Sequence, residues 1–226
     1  FYQMYNETDY INYRKRYQRG KYDWAIADFG KPGLGKSGAV HASVQAEVVK
    51  ERVKKMRGKV YSVYELAFPE IIGIDKSVYP ERMWAEVYEN NKKGIVEIDL
   101  TIWNKPAVRL PEAYWLSFDV DNILSIVAEK IGQRVDVFDV VERGNRQMHG
   151  IDRYIDLITS AGTLRILSET AFLVNIGEAD GLNYSIDYPD KQGGIHFNLN
   201  NNLWGTNFSM WNEGSLTYHF VLEWID

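Results

Sequence analysis

Cysteine is absent from this chain, which excludes disulfides, thiolate nucleophiles and cysteine-ligated zinc from its chemistry. Redox logic therefore leaves the compartment open. Histidine is scarce: His41, His149, His196 and His219 are the whole set, and no two share the spacing of a zinc-protease helix. No segment approaches the run of about 18 apolar residues that a membrane-spanning helix needs, so no membrane partner is expected. A basic excess is missing too. The formal net charge is −5, whereas a nucleic-acid surface needs a positive field, so no nucleic-acid partner is expected. Only Arg14-Lys15-Arg16 and the stretch from Lys50 to Arg57 are locally basic. There is no G-x-S-x-G elbow to present a serine nucleophile, no repeat of fixed period and no low-complexity tract. The chain opens on Phe1 without a signal-peptide pattern, which reads as a fragment or a processed product.

What is present is ordinary core-forming material, 45% hydrophobic and 25% charged over 226 residues. Residues 1–29, rich in Tyr, Asn, Arg and Gln, read as an irregular or partly helical lead-in. Between Gly38 and Arg57, Val40, Val44, Val48 and Val53 gather near one face, with Ser37 to cap the start and Gly58 to close the end. That spacing predicts a helix. After Gly58 the period changes to two. Strands are predicted over Lys59–Phe68, Met83–Glu89, Ile95–Trp103, Tyr114–Val120, Arg134–Val141, Tyr154–Thr159, Thr163–Ser168, Phe172–Ile176, Asn183–Tyr188, Gly194–Leu199 and Leu216–Trp224. Residues 90–94 form a hairpin loop in this reading, and residues 121–131 a helical turn or two. So many strands without intervening helices predict a mainly β protein, a large antiparallel sandwich with a short helical N-terminal segment. The division expected is a lead-in over residues 1–58 and a β-sandwich domain over residues 59–226.

Several patterns invite chemistry. Gly30-Lys31-Pro32-Gly33-Leu34-Gly35-Lys36-Ser37 has P-loop spacing and runs into the predicted helix. Against nucleotide binding, Asp23 and Asp28 interrupt the run that would be its strand, and the strand-helix alternation of a parallel sheet is missing downstream. Asp119 with Asp121, Asp136 with Asp139, and Glu178 with Asp180 are carboxylate pairs, though nothing marks them as more than surface or loop groups. The tail from Gly193 to Trp211 interleaves aromatics with side-chain amides. Amides and imidazole suit sugar hydroxyls, and indole faces suit the C–H face of a pyranose. In the plainer alternative, Phe197, Leu199 and Leu203 are core and the asparagines are turn residues.

The segment Trp103-Asn104-Lys105-Pro106-Ala107-Val108-Arg109-Leu110-Pro111-Glu112-Ala113-Tyr114-Trp115-Leu116-Ser117-Phe118, with the His196 to Trp211 block, resembles the C-terminal β-region of family 38-like glycoside hydrolases, the α-mannosidase-related group. Asp28-Phe29-Gly30-Lys31-Pro32-Gly33-Leu34 resembles the same group. The resemblance implies a galactose-mutarotase-like supersandwich. It also implies that zinc and the catalytic aspartate belong to an N-terminal catalytic domain, so this chain is expected to carry no catalytic residue, metal ligand or cofactor of its own. Carbohydrate and that domain are the partners implied. His196, Trp204, Asn207 and Trp211 are the candidate group at the edge of a glycan cleft, and Arg109 with Glu112 a candidate charge pair at the start of a strand. An independent glycan-binding module and a purely structural support are the alternatives.

Overall fold

The computed structural model describes residues 1–17, 22–24, 30–205 and 208–225. The protein is mainly β, with two antiparallel sheets and one short N-terminal helix. The strands are β1 (Tyr2–Met4), β2 (Ala42–Val44), β3 (Glu47–Met56), β4 (Lys59–Ala67), β5 (Arg82–Asn90), β6 (Ile95–Lys105), β7 (Glu112–Phe118) and β8 (Ile123–Lys130). They continue with β9 (Gln133–Asp136), β10 (Met148–Gly150), β11 (Tyr154–Thr159), β12 (Gly162–Ser168), β13 (Leu173–Ile176), β14 (Ile195–Asn201) and β15 (Gly214–Ile225). A six-stranded sheet runs β10-β13-β14-β7-β1-β2, and a nine-stranded sheet runs β3-β4-β5-β6-β15-β12-β11-β8-β9.

Alternation along the strands builds the core between the sheets. Tyr2, Met4, Tyr114, Val174, Ile195 and Phe197 point inward from the smaller sheet, and Met83, Ile102, Ile126, Ile155, Ile166 and Phe220 meet them from the larger. Phe197 crosses the boundary, with its ring 5.1 Å from that of Phe220. The opposite face of the six-stranded sheet is covered by a second cluster: Ala113 and Trp115 there meet Tyr5, Tyr10, Tyr13, Leu34, Ala179, Leu182 and Leu203. Tyr10 and Tyr13 come from the helix α1 (Glu7–Tyr17).

The helix of this lead-in is α1, and its ends explain it. Asn6 Oδ1 accepts from the backbone N–H of Thr8 and Asp9, while Asp9 Oδ2 accepts from that of Asn6, a reciprocal cap. Glu7 and Asp9 in the first turn and Arg14, Lys15 and Arg16 in the last complement the dipole.

The helix expected between Gly38 and Arg57 is instead β2 and β3, so that expectation is corrected. β3 is an edge strand exposed along its length, and charge on both of its faces hides the period-two pattern. Its ten residues pair with β4 across the two-residue turn Arg57-Gly58. Gly58, at φ +73°, is therefore a hairpin residue and not a helix end. Ser37 caps no α-helix; its hydroxyl donates to the Leu34 carbonyl at the end of a 3₁₀ turn over Leu34–Lys36.

That geometry also removes the P-loop reading. From Gly30 to Ser37 the chain makes only that short turn, and the next element is β2, antiparallel to β1. Asp28 and Phe29 lie outside the described residues. The helical turns expected over residues 121–131 are replaced by β8, whose Ile123, Ile126 and Ala128 are buried. Asn183–Tyr188 forms no strand, with a bend at Ile186-Asp187, and the strand expected from Arg134 stops at Asp136. Residues 1–58 supply β1 and β2 to one sheet and β3 to the other. Among the described residues no helix is long and apolar enough to cross a membrane.

Candidate functional site

The outward face of the six-stranded sheet carries polar groups beside the second cluster: Gln3 on β1, Ser117 on β7, Asn175 on β13, and His196 and Asn198 on β14. Where α1 and its neighbouring loops leave this face open there is a pocket of about 330 Å³, lined among others by Gln3, Tyr5, His41, Glu178, Asp180 and His196.

His196 forms part of one wall and is 7% exposed. Its Nε2 donates to the Gly177 carbonyl at 2.5 Å, which leaves Nδ1 to accept from the Ser117 hydroxyl at 2.7 Å. The ring is thereby held in its Nε2–H tautomer. Two glycines make the approach possible. Gly177 sits at φ +85°, and a Cβ on Gly193 would lie 3.0 Å from the Gly177 Cα.

Gln3 and Tyr5 build the floor. Gln3 Nε2 donates to the Ala179 carbonyl at 2.7 Å, its Oε1 accepts from Tyr5 Oη at 2.6 Å, and Tyr5 Oη accepts from the Gly181 N–H at 3.0 Å. Asp180 stands beside them. Burial, with Glu178 and Asp9 nearby, pushes its carboxyl up to about 6, against the pull of the Leu182 N–H that it accepts and of His41. His41 Nδ1 lies 3.0 Å from Asp9 Oδ1 at the exposed rim. His41 precedes β2 and is not on the helix expected for it.

The raised Asp180 carboxyl has a measurable consequence. Between about pH 4 and about pH 6 the folded state holds a proton that the unfolded chain has released, so this group's contribution to stability falls as pH rises. The stability of wild type relative to Asp180→Asn should therefore drop by up to about 2 kcal/mol across that window in urea titrations at stepped pH. A flat difference would contradict the assignment.

Of the expected cleft residues, His196 lines the pocket, and Trp204 and Trp211 do not. Roughly 15 Å of β14 runs between His196 and Asn201, and Trp204 and Trp211 lie beyond that far end. Trp204 is half-buried against the second cluster, with its ring 6.3 Å from that of Phe208. Trp211 is 43% exposed, and the Arg109 guanidinium lies 4.5 Å from its ring centroid. Asn207 lies outside the described residues.

The expected pairing of Arg109 with Glu112 is also corrected. Glu112 turns inward to Lys105, with Oε1 2.5 Å from Nζ and both side chains 1% exposed. Arg109 turns outward to Trp211, so the loop before β7, with its bend at Leu110, separates the two. Asp119 and Asp121 do not share a strand face either, because β7 ends at Phe118.

Of the asparagines, Asn202 serves the backbone: its Nδ2 donates to the carbonyls of Val108 and Leu110, and its Oδ1 accepts from the Glu112 N–H. Asn198 and Asn201 bond to each other, and Asn200 accepts from Asn212. His149 is buried on β10, where burial pushes its imidazole down to about 4 and its Nε2 donates to the Arg146 carbonyl. His219 on β15 faces Asp99 at 2.7 Å. Among the described residues no group of three or more His, Cys, Asp or Glu could hold a metal ion.

Sequence reasoning missed Gln3, Tyr5 and His41 as site residues and saw Glu178 and Asp180 only as one carboxylate pair among several. The signal for that pair was local, a Gly-Glu-Ala-Asp-Gly turn following an apolar strand.

No protein-family model matches this chain, and no curated protein matches it. Among solved structures it is similar to a galactose mutarotase related enzyme from Lactobacillus acidophilus, at 11% identity and a TM-score of 0.32, over 82% of this chain and 72% of that one. The two-sheet antiparallel architecture stands on its own strand pairings.

Proposed function

We propose that this chain is a carbohydrate-facing β-sandwich, the C-terminal β-portion of a family 38-like glycoside hydrolase, whose six-stranded sheet walls a glycan cleft. Hydrolysis, and any zinc it needs, falls in this reading to an N-terminal catalytic domain outside these residues. The observation that carries the proposal is the pocket over Gln3, Tyr5, Glu178, Asp180 and His196. Its volume suits a small ligand, and it offers hydroxyl, amide and carboxyl groups beside the rings of Phe1 and Tyr5. That mixture matches a sugar, which needs hydrogen bonds at its rim and apolar contact at its C–H face. Trp211 and Arg109 form a separate edge at the other end of β14.

Titration calorimetry with manno-oligosaccharides tests the reading. Millimolar binding is expected, and Glu178→Ala, at an exposed rim position, should weaken it about tenfold with an unchanged melting temperature. No heat at millimolar sugar, or full binding by the variant, would count against it.

A further inference from the structure

The outer face of the nine-stranded sheet carries a different arrangement. Lys50, Arg52 and Lys54 stand at alternate positions of β3, opposite Glu65, Val63 and Tyr61 of β4, so all three project to the same side. Lys50, Arg52, Val63 and Glu65, with Arg82, Trp84 and Glu86 of β5, line a shallow depression of about 230 Å³. Trp84 lies beside Trp103 of β6, with ring centroids 6.4 Å apart and planes inclined by 38°. Trp103 is 45% exposed, and the Arg82 guanidinium lies 5.8 Å from the Trp84 ring centroid.

The charges there are unevenly committed. Glu65 faces Arg82 at 3.5 Å, and Glu86 accepts from Tyr61 Oη and from the Trp84 indole N–H. Among the described residues Lys50, Arg52 and Lys54 have no ion-pair partner. A protein of net charge −5 thus presents a row of cations without ion-pair partners, repeating at roughly 6.6 Å, near the exposed indole of Trp103 and the half-buried indole of Trp84. Lysines also guard an edge strand against pairing with other chains. That duty needs charge alone and does not explain a tryptophan pair two and three strands inward.

We infer that this face binds an acidic oligosaccharide, a polyuronate segment whose sugar rings lie on Trp84 and Trp103 while Lys50, Arg52 and Arg82 hold its carboxylates. Indoles accept the C–H faces of the rings, and guanidinium forks match carboxylates in geometry and charge. The site lies on the opposite sheet from the pocket proposed above and does not depend on it.

The experiment is titration of the whole chain with an oligogalacturonate, a neutral manno-oligosaccharide and inorganic polyphosphate, each at about 0.01 M and about 1 M salt. Preferential binding of the oligogalacturonate, weakened by salt, is expected. Lys50→Gln with Arg52→Gln should each weaken it, and the pair Trp84→Ala and Trp103→Ala should lower affinity at least about tenfold while Glu178→Ala leaves it unchanged. Circular dichroism and melting temperature report whether the tryptophan variant is folded, and Trp103→Ala alone, at an exposed position, repeats the test. Absent or salt-independent binding would overturn the inference. So would binding of the neutral sugar or of polyphosphate as tight as that of the oligogalacturonate, or loss of binding in Glu178→Ala.

Discussion

Glu112→Ala should destabilise the protein by about 3–5 kcal/mol, a large part of the roughly 5–15 kcal/mol that holds an ordinary domain folded. Lys105 and Glu112 lie at the two ends of the loop from β6 to β7, and both side chains are removed from water. The ammonium of Lys105 uses its three donors on Glu112, the Pro106 carbonyl at 3.0 Å and the Asn212 carbonyl at 3.1 Å. Burial raises the Glu112 carboxyl above its ordinary value, and Lys105 pulls it back. Deleting the carboxylate leaves an ammonium buried between two carbonyls with no counter-charge, which costs more than the pair itself contributes. Replacing both residues, as Lys105→Met with Glu112→Leu, should recover most of the loss. Urea midpoints for the single and double variants decide the matter; a single variant as stable as wild type would show that the pair is not buried.

The second large effect is expected at Phe197. Its ring is fully buried and meets Phe118 at 5.8 Å and Phe220 at 5.1 Å, both edge to face, so it ties β14 to β7 and to the opposite sheet. Phe197→Ala should cost about 3–5 kcal/mol by lost transfer energy and the cavity left behind. For a chain of this length that corresponds to a fall of roughly 10 °C in melting temperature. Glu178→Ala, in the loop after β13, should weaken manno-oligosaccharide binding with no such fall. A Phe197→Ala protein that melts within about 1 °C of wild type would mean that the sheets do not pack through this ring.

Strands with one buried face were legible because their alternation is local. β11 was predicted with its observed bounds, and β4, β5 and β6 to within two residues, with the Asn90–Gly94 turn between the last two. β3 was read as a helix because its pattern is set by a partner and not by a buried face: charges on both sides of an exposed edge look like the polar surface of a helix. β8 escapes the sequence pattern because it is flanked by Asn122 and Ile131, non-glycine residues at positive φ that no propensity reveals.

The site was half legible. His196 stands out in the sequence because the asparagine-rich segment follows it. Gln3 and Tyr5 carried no signal, because they reach the pocket only through the pairing of β1 with β7, more than a hundred residues later in the chain. The Lys105–Glu112 pair was hidden for the same reason: sequence distance favoured Arg109, and the loop before β7 sends it outward to Trp211.

The central claim is that two sheets enclose one core and leave the outward face of the six-stranded sheet to a sugar. Its most direct test is amide NMR of the isotope-labelled chain titrated with a manno-oligosaccharide. Shifts gathered at Gln3, Tyr5, residues 177–181 and residues 193–196 are the expected result. A saturated titration whose shifts avoid those residues, or none at millimolar sugar, would contradict it.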